Sequence, residues 1–537
     1  MSRFLAAPGI AAPPAGGKGL AWVLMGSLAA GVIAVSALVL AYEGDAKQVA
    51  GGFAVGVVLL FAPLITNLRA YCLYLVLLLA PLSLRMTFLA YPKMGGAGAV
   101  FIEIADPFLV MLLAFQFRDW IKGYREFRFP RPALFWSLMI GLGVLSVVLG
   151  PLRTVSLNET VRMAKLLLLL LAITNEVRRP AQFRNAVVAI AVGVVLQSAI
   201  ALLQFGLGHQ LGLHVLGEST EDDITALAKA TFTSGDLIAR PDGLMGHPNL
   251  LAGYLALYMP VAVALILAPT SRKLKALLAL ALLVGQPALV FTLSRTGWID
   301  FGAALAIVLA LGAVHPVSRR KFLGARIAIV MVTSVIILVL SPHIIYRIFD
   351  SDPNAVNMRL EWLQTARAII IDHPVLGVGL NTYVFAQVPY GKDKTPEAMT
   401  DRYGDIWPAV HNSYLLCWTE QGTVGFLCWV MVHFFVLRVA WQNLRIKDPV
   451  LHALGVGLTA GFIAIMIDGL TSFFVRCEAP ARMFWIAVGL ILALGYWRRA
   501  NEEAEGALAE SLRPARPPRS RVPASGGWLP AGKSAWR

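Results

Sequence analysis

The chain has 537 residues, of which 58% are hydrophobic and 14% charged, and its mean hydropathy is +0.69. No water-soluble core could hold that much apolar surface, so a soluble globular protein is excluded and the chain reads as a polytopic membrane protein. The net charge of +15 does not indicate nucleic acid, because the basic residues fall mainly in alternate short loops, where they report topology.

Apolar runs of about 20 residues, the length that a roughly 30 Å hydrocarbon layer demands, recur along almost the whole chain. The first, 20–41, follows a short segment, 1–19, and has no small-residue cleavage site behind it, so it reads as an uncleaved span. Spans at 49–66, 70–84 and 100–117 follow. Glu103 and Asp106 stand three apart in "FIEIADPFLV" with Pro107 beside them, a pattern that suits helix capping or function equally. The loop from Arg118 to Arg131 carries five basic residues and belongs on the cytoplasmic side.

Spans at 134–151 and 157–175 come next. Glu159, Arg162 and Lys165 open the second of these at spacings of three, which places them on one helical face; an internally paired helix entrance and a substrate contact are both open. After the span at 185–207 comes the first long loop, 208–248, which ends "IARPDGLMGHPNLLAGY". Pro248 and Asn249 fit a helix start, and exposed N–H groups there could also receive a diphosphate, with Arg240 supplying charge. His247 and Asn249 read as caps or as ligands.

Spans at 249–268, 275–292, 297–314 and 326–342 follow. Arg295, in "TLSRTGW", lies at a very short turn on the side where the charge bias disfavours arginine. It either snorkels to the headgroups or clamps an anion, and Ser294 and Gly297 leave room for a phosphate.

The second long loop, 343–413, opens with Asp350-Ser351-Asp352, which reads as a cap ahead of Pro353; no further carboxylate completes a metal shell, so no metal is expected. Leu360, Leu363, Ile370 and Ile371 recur at helical spacing opposite Glu361 and Gln364, which predicts an interfacial helix. Arg359 and Arg367 project from it, on a solvated face or toward a phosphate-bearing lipid. The Gly- and Pro-rich "DHPVLGVGLNTY" ends this helix, and His411 lies where the chain re-enters the membrane, placed to act as a general base or as an ordinary buried histidine.

The last spans are 415–437, 450–469 and 483–497; Asp468 ends the second of them, as a ligand-side group or a partner for an arginine. The tail, 501–537, is rich in Pro, Arg and Ala and reads as disordered. Cys72, Cys417, Cys428 and Cys477 show no ligand spacing and read as apolar packing. The fold class is therefore all-α, with about 14 spans (12–14) filling 20–500, both termini cytoplasmic, and an interfacial helix in a long outward loop.

"RLEWLQTARAIIIDHPVLGVGLNTY" followed by "HNSYLLCWTEQGTVGFL", with "SRTGW" and "GHPNLLAGYLAL" ahead of them, closely resembles the signature region of the O-antigen ligase and O-antigen polymerase superfamily over about residues 185–500. The resemblance implies a bacterial inner-membrane glycosyltransferase with a periplasmic active site. Such a protein takes a glycan from undecaprenyl diphosphate and passes it to a lipid A-core sugar or a similar acceptor, or, as a polymerase, to the next lipid-linked repeat. It implies that Arg295, Arg359 and His411 are catalytic and that Asp468 orients or binds; the reading of the loops themselves adds Arg240 and Arg367 as further diphosphate contacts. No cofactor, metal or nucleic acid is implied. A transporter or flippase of polyprenyl-linked glycans is the competing class, but the internal repeats usual in transporters are not detected.

Overall fold

The computed structural model describes residues 67–91, 98–219, 229–231, 237–312, 323–349, 353–403 and 407–511. The expected segment 1–19, the expected spans 20–41 and 49–66, the motif at 350–352 and the tail beyond 511 lie outside the described residues.

In chain order the described elements are α1 (Leu68–Leu79), β1 (Arg85–Phe88), β2 (Val100–Glu103), α2 (Asp106–Ile121), α3 (Arg131–Leu149), α4 (Arg153–Glu176), α5 (Pro180–Leu207), β3 (Lys229–Thr231), β4 (Leu237–Ala239), α6 (Pro248–Ile266), α7 (Arg272–Phe291) and α8 (Arg295–Gly312). They continue as α9 (Leu323–Val339), α10 (Ser341–Phe349), α11 (Pro353–Asp372), α12 (Tyr383–Ala386), α13 (Pro396–Tyr403), α14 (Ser413–Asn443), α15 (Pro449–Asp468) and α16 (Glu478–Ser511). Two antiparallel pairs, β1–β2 and β3–β4, are the strands among the described residues, so the architecture is that of a helical membrane protein.

Eight of the described helices, α3, α5, α6, α7, α8, α14, α15 and α16, are long and apolar enough to cross a bilayer. The stretch expected as a span at 100–117 is split: Val100–Glu103 is a strand, and α2 starts at Asp106, whose carboxylate accepts the Glu103 N–H at 2.9 Å. Helix α4 fills the expected span 157–175 but carries Arg153, Glu159, Arg162, Lys165 and Glu176, charges that are tolerated because most of them are paired inside the protein. Helix α16 runs on to Ser511, past the expected start of the tail.

The innermost layer is α6, α15 and α16, and their close approach is set by small residues. A Cβ placed on Gly461 would lie 1.9 Å from the Leu257 carbonyl oxygen, and one on Gly457 would lie 2.5 Å from the Val261 Cα. This Gly-x-x-x-Gly pair lets two backbones touch where lipid supplies no hydrophobic drive for association. The buried Tyr258 hydroxyl donates to the Met483 carbonyl at 2.8 Å and ties α6 to α16. Replacing Gly461 by Leu forces α15 off α6; we expect a loss of about 1–3 kcal/mol or more, read as a lower unfolding temperature in detergent, whereas an unchanged temperature would contradict this packing.

Helix α14 is broken. At Gly422 the backbone turns to φ +62°, ψ −168°, which a glycine tolerates and a side chain resists. The "DHPVLGVGLNTY" segment repairs the break: the Val378 and Gly379 N–H groups donate to the Thr419 and Glu420 carbonyls at 2.9 and 3.0 Å. In return the Thr423 N–H donates to the Pro374 carbonyl at 2.9 Å. Irregular backbone at this depth is tolerable because another segment satisfies it.

The segment from α11 to Leu416 has its own small core, in which Trp362, Ala366 and Ile369 pack on Tyr383, Val384, Trp407 and Val410. Leu360 and Ile371, of the expected apolar stripe of α11, are exposed on the protein, and Leu363 packs at the core's edge. The buried face is set by Trp362 and its neighbours at i+4 and i+7, so α11 turns this stripe toward the protein and leaves Leu360 and Ile371 outward.

Candidate functional site

The site is built around the turn between α7 and α8. Helix α7 ends at Phe291, and Leu293 then adopts φ +51°, a left-handed conformation that is costly for a residue with a side chain. The strained turn presents two consecutive carbonyls to two arginines. The Arg240 Nε donates to the Thr292 oxygen at 2.7 Å, and the Arg347 Nε donates to the Leu293 oxygen at 3.1 Å. Arg295 begins α8 immediately afterwards.

The Arg240 guanidinium is buried, and its Nη2 donates to the Asn249 side-chain oxygen at 2.7 Å. His247 caps α6: its Nδ1 accepts the Asn249 N–H at 3.1 Å, with Pro248 in the first turn. Capping and site formation are thus the same event. The Asn249 side chain in the first turn of α6 thereby ties the helix start to Arg240, which is set against the 292–294 turn.

The electrostatics show convergence. Burial pulls the Arg240 pKa down to about 9, assisted by the charges of Arg347, Arg359 and Arg295. Arg347 is lowered by burial and by Arg295 and Arg359, and Arg359 by burial and by Arg295. Four guanidinium groups from four segments therefore share one field. Among the described residues no carboxylate forms an ion pair with Arg240, Arg347 or Arg359. Like charges gathered in one field are unfavourable alone and attractive to an anion.

His411 lies at the edge of this field. Its ring stacks on Trp362 at 4.8 Å and meets Phe473 edge-on at 4.9 Å, so it cannot turn freely. Its Nδ1 is 3.1 Å from the Ala409 carbonyl, which can only accept, so Nδ1 carries the proton and Nε2 presents a lone pair. Burial, with the Arg359 charge, lowers its pKa to about 4, the Ala409 bond opposing slightly. Burial, with Arg240 and His411, lowers His247 to about 3. Both rings are neutral at pH 7; with Nδ1 of His247 accepting, its Nε2 carries the proton, so one ring offers a donor and the other an acceptor.

The loop after α15 holds these parts together. The Ser413 N–H donates to the Gly469 and Ser472 carbonyls at 2.8 and 3.0 Å, the Asn412 amide to Leu470 at 3.0 Å, and Thr471 and Thr296 hydroxyls meet at 3.1 Å, next to Arg295. Asp468 is buried behind that loop, where its described neighbours are the Ser472 hydroxyl and the carboxyl of Asp300 on α8. It therefore sits beneath the loop that joins Arg295 to His411. Arg367 is exposed two turns along α11 from Arg359, about 12 Å further along the helix, and makes no hydrogen bond or ion pair among the described residues.

A second polar group lies beside the site. Arg162 holds Glu159 with two bonds, at 2.6 and 2.7 Å, and Arg476 reaches Glu420 at 2.9 Å and Glu159 at 3.4 Å. Lys165 pairs with Asp106 at 2.7 Å, and Glu103 pairs with Arg482. The helix-face spacing of Glu159, Arg162 and Lys165 thus serves internal pairing.

Arg347 was not singled out from the sequence, though the signal was present: it is a cation in the loop 343–413, which is expected to face outward, where the charge bias disfavours arginine. Among the described residues no three His, Cys, Asp or Glu side chains gather as metal ligands. A family model described as O-antigen ligase matches residues 277–430, a segment that contains Arg295, Arg347, Arg359 and His411. No curated protein matches the chain.

Proposed function

Through residues 277–430 the chain belongs to the O-antigen ligase superfamily, and from that premise we propose that it moves a glycan from undecaprenyl diphosphate to an acceptor hydroxyl, on a lipid A-core sugar or a similar acceptor, at the periplasmic face of the inner membrane. One observation carries this reading: Arg240 and Arg347 hold the consecutive carbonyls of the turn that precedes Arg295, and Arg359 stands one turn before Trp362, which stacks on a neutral His411 whose Nε2 is free to take a proton.

The chemistry follows from the groups present. The acceptor oxygen attacks the anomeric carbon, its proton passes to the His411 Nε2, and the bond from that carbon to the diphosphate oxygen breaks. The electron pair leaves with the lipid diphosphate. Charge grows on the phosphates as that bond lengthens, and guanidinium groups fixed in advance stabilise it more than water could. Arg240 and Arg347 are held by the carbonyls of a strained turn, so little reorganisation is needed at the moment of reaction. Arg367, on the exposed face of α11, is the outer contact for an arriving headgroup, and Asp468 positions the loop under Arg295 and His411.

The purified protein, given an undecaprenyl-diphosphate glycan together with lipid A-core or with more carrier-linked repeat, should form a glycosylated acceptor. Transfer to lipid A-core marks a ligase and elongation on the carrier marks a polymerase; movement of the donor across the bilayer with neither product would overturn the proposal.

The pH dependence has a definite sign. His411 is depressed to about 4 from an ordinary value near 6.5, so it stays a base from pH 8 down to about 5. Its depressed pKa also makes the fold lose stability as pH falls from 6.5 toward 4, because there the unfolded chain binds the proton and the folded one does not. The rate should therefore show no histidine limb near 6.5. A fall in kcat/KM centred at 6.5, absent in His411→Ala, would contradict this environment.

A further inference from the structure

A cavity of about 370 Å³ lies at the far end of the bundle, between the start of α3 and the later turns of α14 and α16. It is separated from His411 by most of α14, roughly 40 Å of helix. Three arginines stand around it, Arg131, Arg438 and Arg499, one from each helix, with Gln442 and Tyr496 as the other polar side chains. No acidic residue lines it, and none of the three arginines is ion-paired among the described residues. Two of them lean on aromatic rings of the wall: Arg131 is 5.4 Å from the centre of Phe435 and Arg499 is 6.0 Å from that of Tyr496. These two guanidinium groups are thereby held at the rim.

The flanks of the cavity are apolar and turned outward. Leu134 and Leu138 share the face of α3 that begins with Arg131, and Phe434 and Trp441 share the face of α14 that carries Arg438; all four are exposed. Spacings of three, four and seven make each set a continuous stripe. A cationic rim that passes into two apolar stripes fits a molecule with an anionic head and hydrocarbon chains, and does not suit a free anion, which has no use for the stripes. The geometry points to a binding site for an anionic phospholipid of the leaflet opposite the arginine–histidine site, the phosphodiester seated among Arg131, Arg438 and Arg499 and the acyl chains lying along α3 and α14. Three helices held through one headgroup would stiffen the far end of α14, whose near end carries the break at Gly422.

The test uses the delipidated full chain and measures equilibrium binding of phosphatidylglycerol, phosphatidylcholine and inorganic phosphate. The protein should bind phosphatidylglycerol well ahead of phosphatidylcholine, and phosphate should compete poorly. Each charge removed should weaken phosphatidylglycerol about fivefold and the Arg131→Gln/Arg438→Gln/Arg499→Gln variant about a hundredfold. Arg272→Gln, a basic residue outside the cavity, should bind as the parent does. Equal binding by the triple variant and the parent would overturn the site, as would equal binding of the two lipids. Competition by phosphate at the concentration of the lipid would also overturn it, leaving an anion site only. The single Arg438→Gln variant, at an exposed position, keeps the question decidable if the triple variant fails to fold.

Discussion

Arg359→Lys should lower kcat/KM for glycan transfer by about a hundredfold or more while leaving the protein folded. The substitution keeps the positive charge, so a role in long-range attraction alone would survive it. What it removes is the planar fork that can hold two phosphate oxygens at once. Arg359 lies one turn before Trp362, the residue that stacks on His411, and its charge reaches Arg295, Arg240 and His411. Losing one preorganised donor to developing charge typically costs 10²–10³ in rate. Although its charge is partly desolvated among the other arginines, Arg359 stays open to the surface, so the lysine substitution should leave the unfolding temperature close to the parent's. Activity within threefold of the parent would remove Arg359 from the reaction.

Arg476→Met should act in the opposite way, through the fold. Arg476 stands between Glu420 and Glu159 and donates from Nη2 to the Asn381 side chain at 3.0 Å. Glu159 keeps Arg162 as a partner, whereas Glu420 loses the one ion pair it makes among the described residues. Removing one partner of a buried pair costs about 3–5 kcal/mol, because the other charge is stranded. Glu420 lies two residues before the break in α14 and opposite the N–H of Tyr383, so the damage should spread to the loop that repairs the break. The unfolding temperature should drop sharply, and Arg476→Met combined with Glu420→Gln should recover much of it. A single variant as stable as the parent would show that the pair contributes nothing.

Features written in local chemistry were legible in the sequence. "GHPN" announced a helix start, and His247 caps α6; "TLSRTGW" announced a tight turn carrying an arginine, and that turn organises the site. The turn in "DHPVLGVGLNTY" was readable from its glycines, but its docking into α14 was not. Glu420-Gln421-Gly422 sits within an apolar run that reads as one helix, and the bonds that accept the break come from residues some forty positions earlier. Pairing at long separation leaves no periodic trace. The same holds for Arg476 with Glu159, more than three hundred residues apart.

Which residues of α11 face the protein was not legible for a related reason. The aliphatic spacing marks Leu360 and Ile371, which stay exposed, while the core formed by Trp407, Val410 and Tyr383 packs on the stripe of Trp362. Which stripe is buried depends on what packs against it. Asp468 was expected to hold an arginine or the histidine directly; among the described residues it contacts Ser472 and Asp300, one layer behind them.

The most direct measurement is equilibrium binding of undecaprenyl diphosphate to the protein in neutral-lipid nanodiscs, for the parent and for Arg240→Gln, Arg347→Gln and Arg359→Gln. Saturable binding that weakens about tenfold or more in each variant, including the Arg347 variant, is the expected result. Binding that is indifferent to all three, or no stronger than that of undecaprenol without phosphate, would contradict an arginine site for the lipid diphosphate.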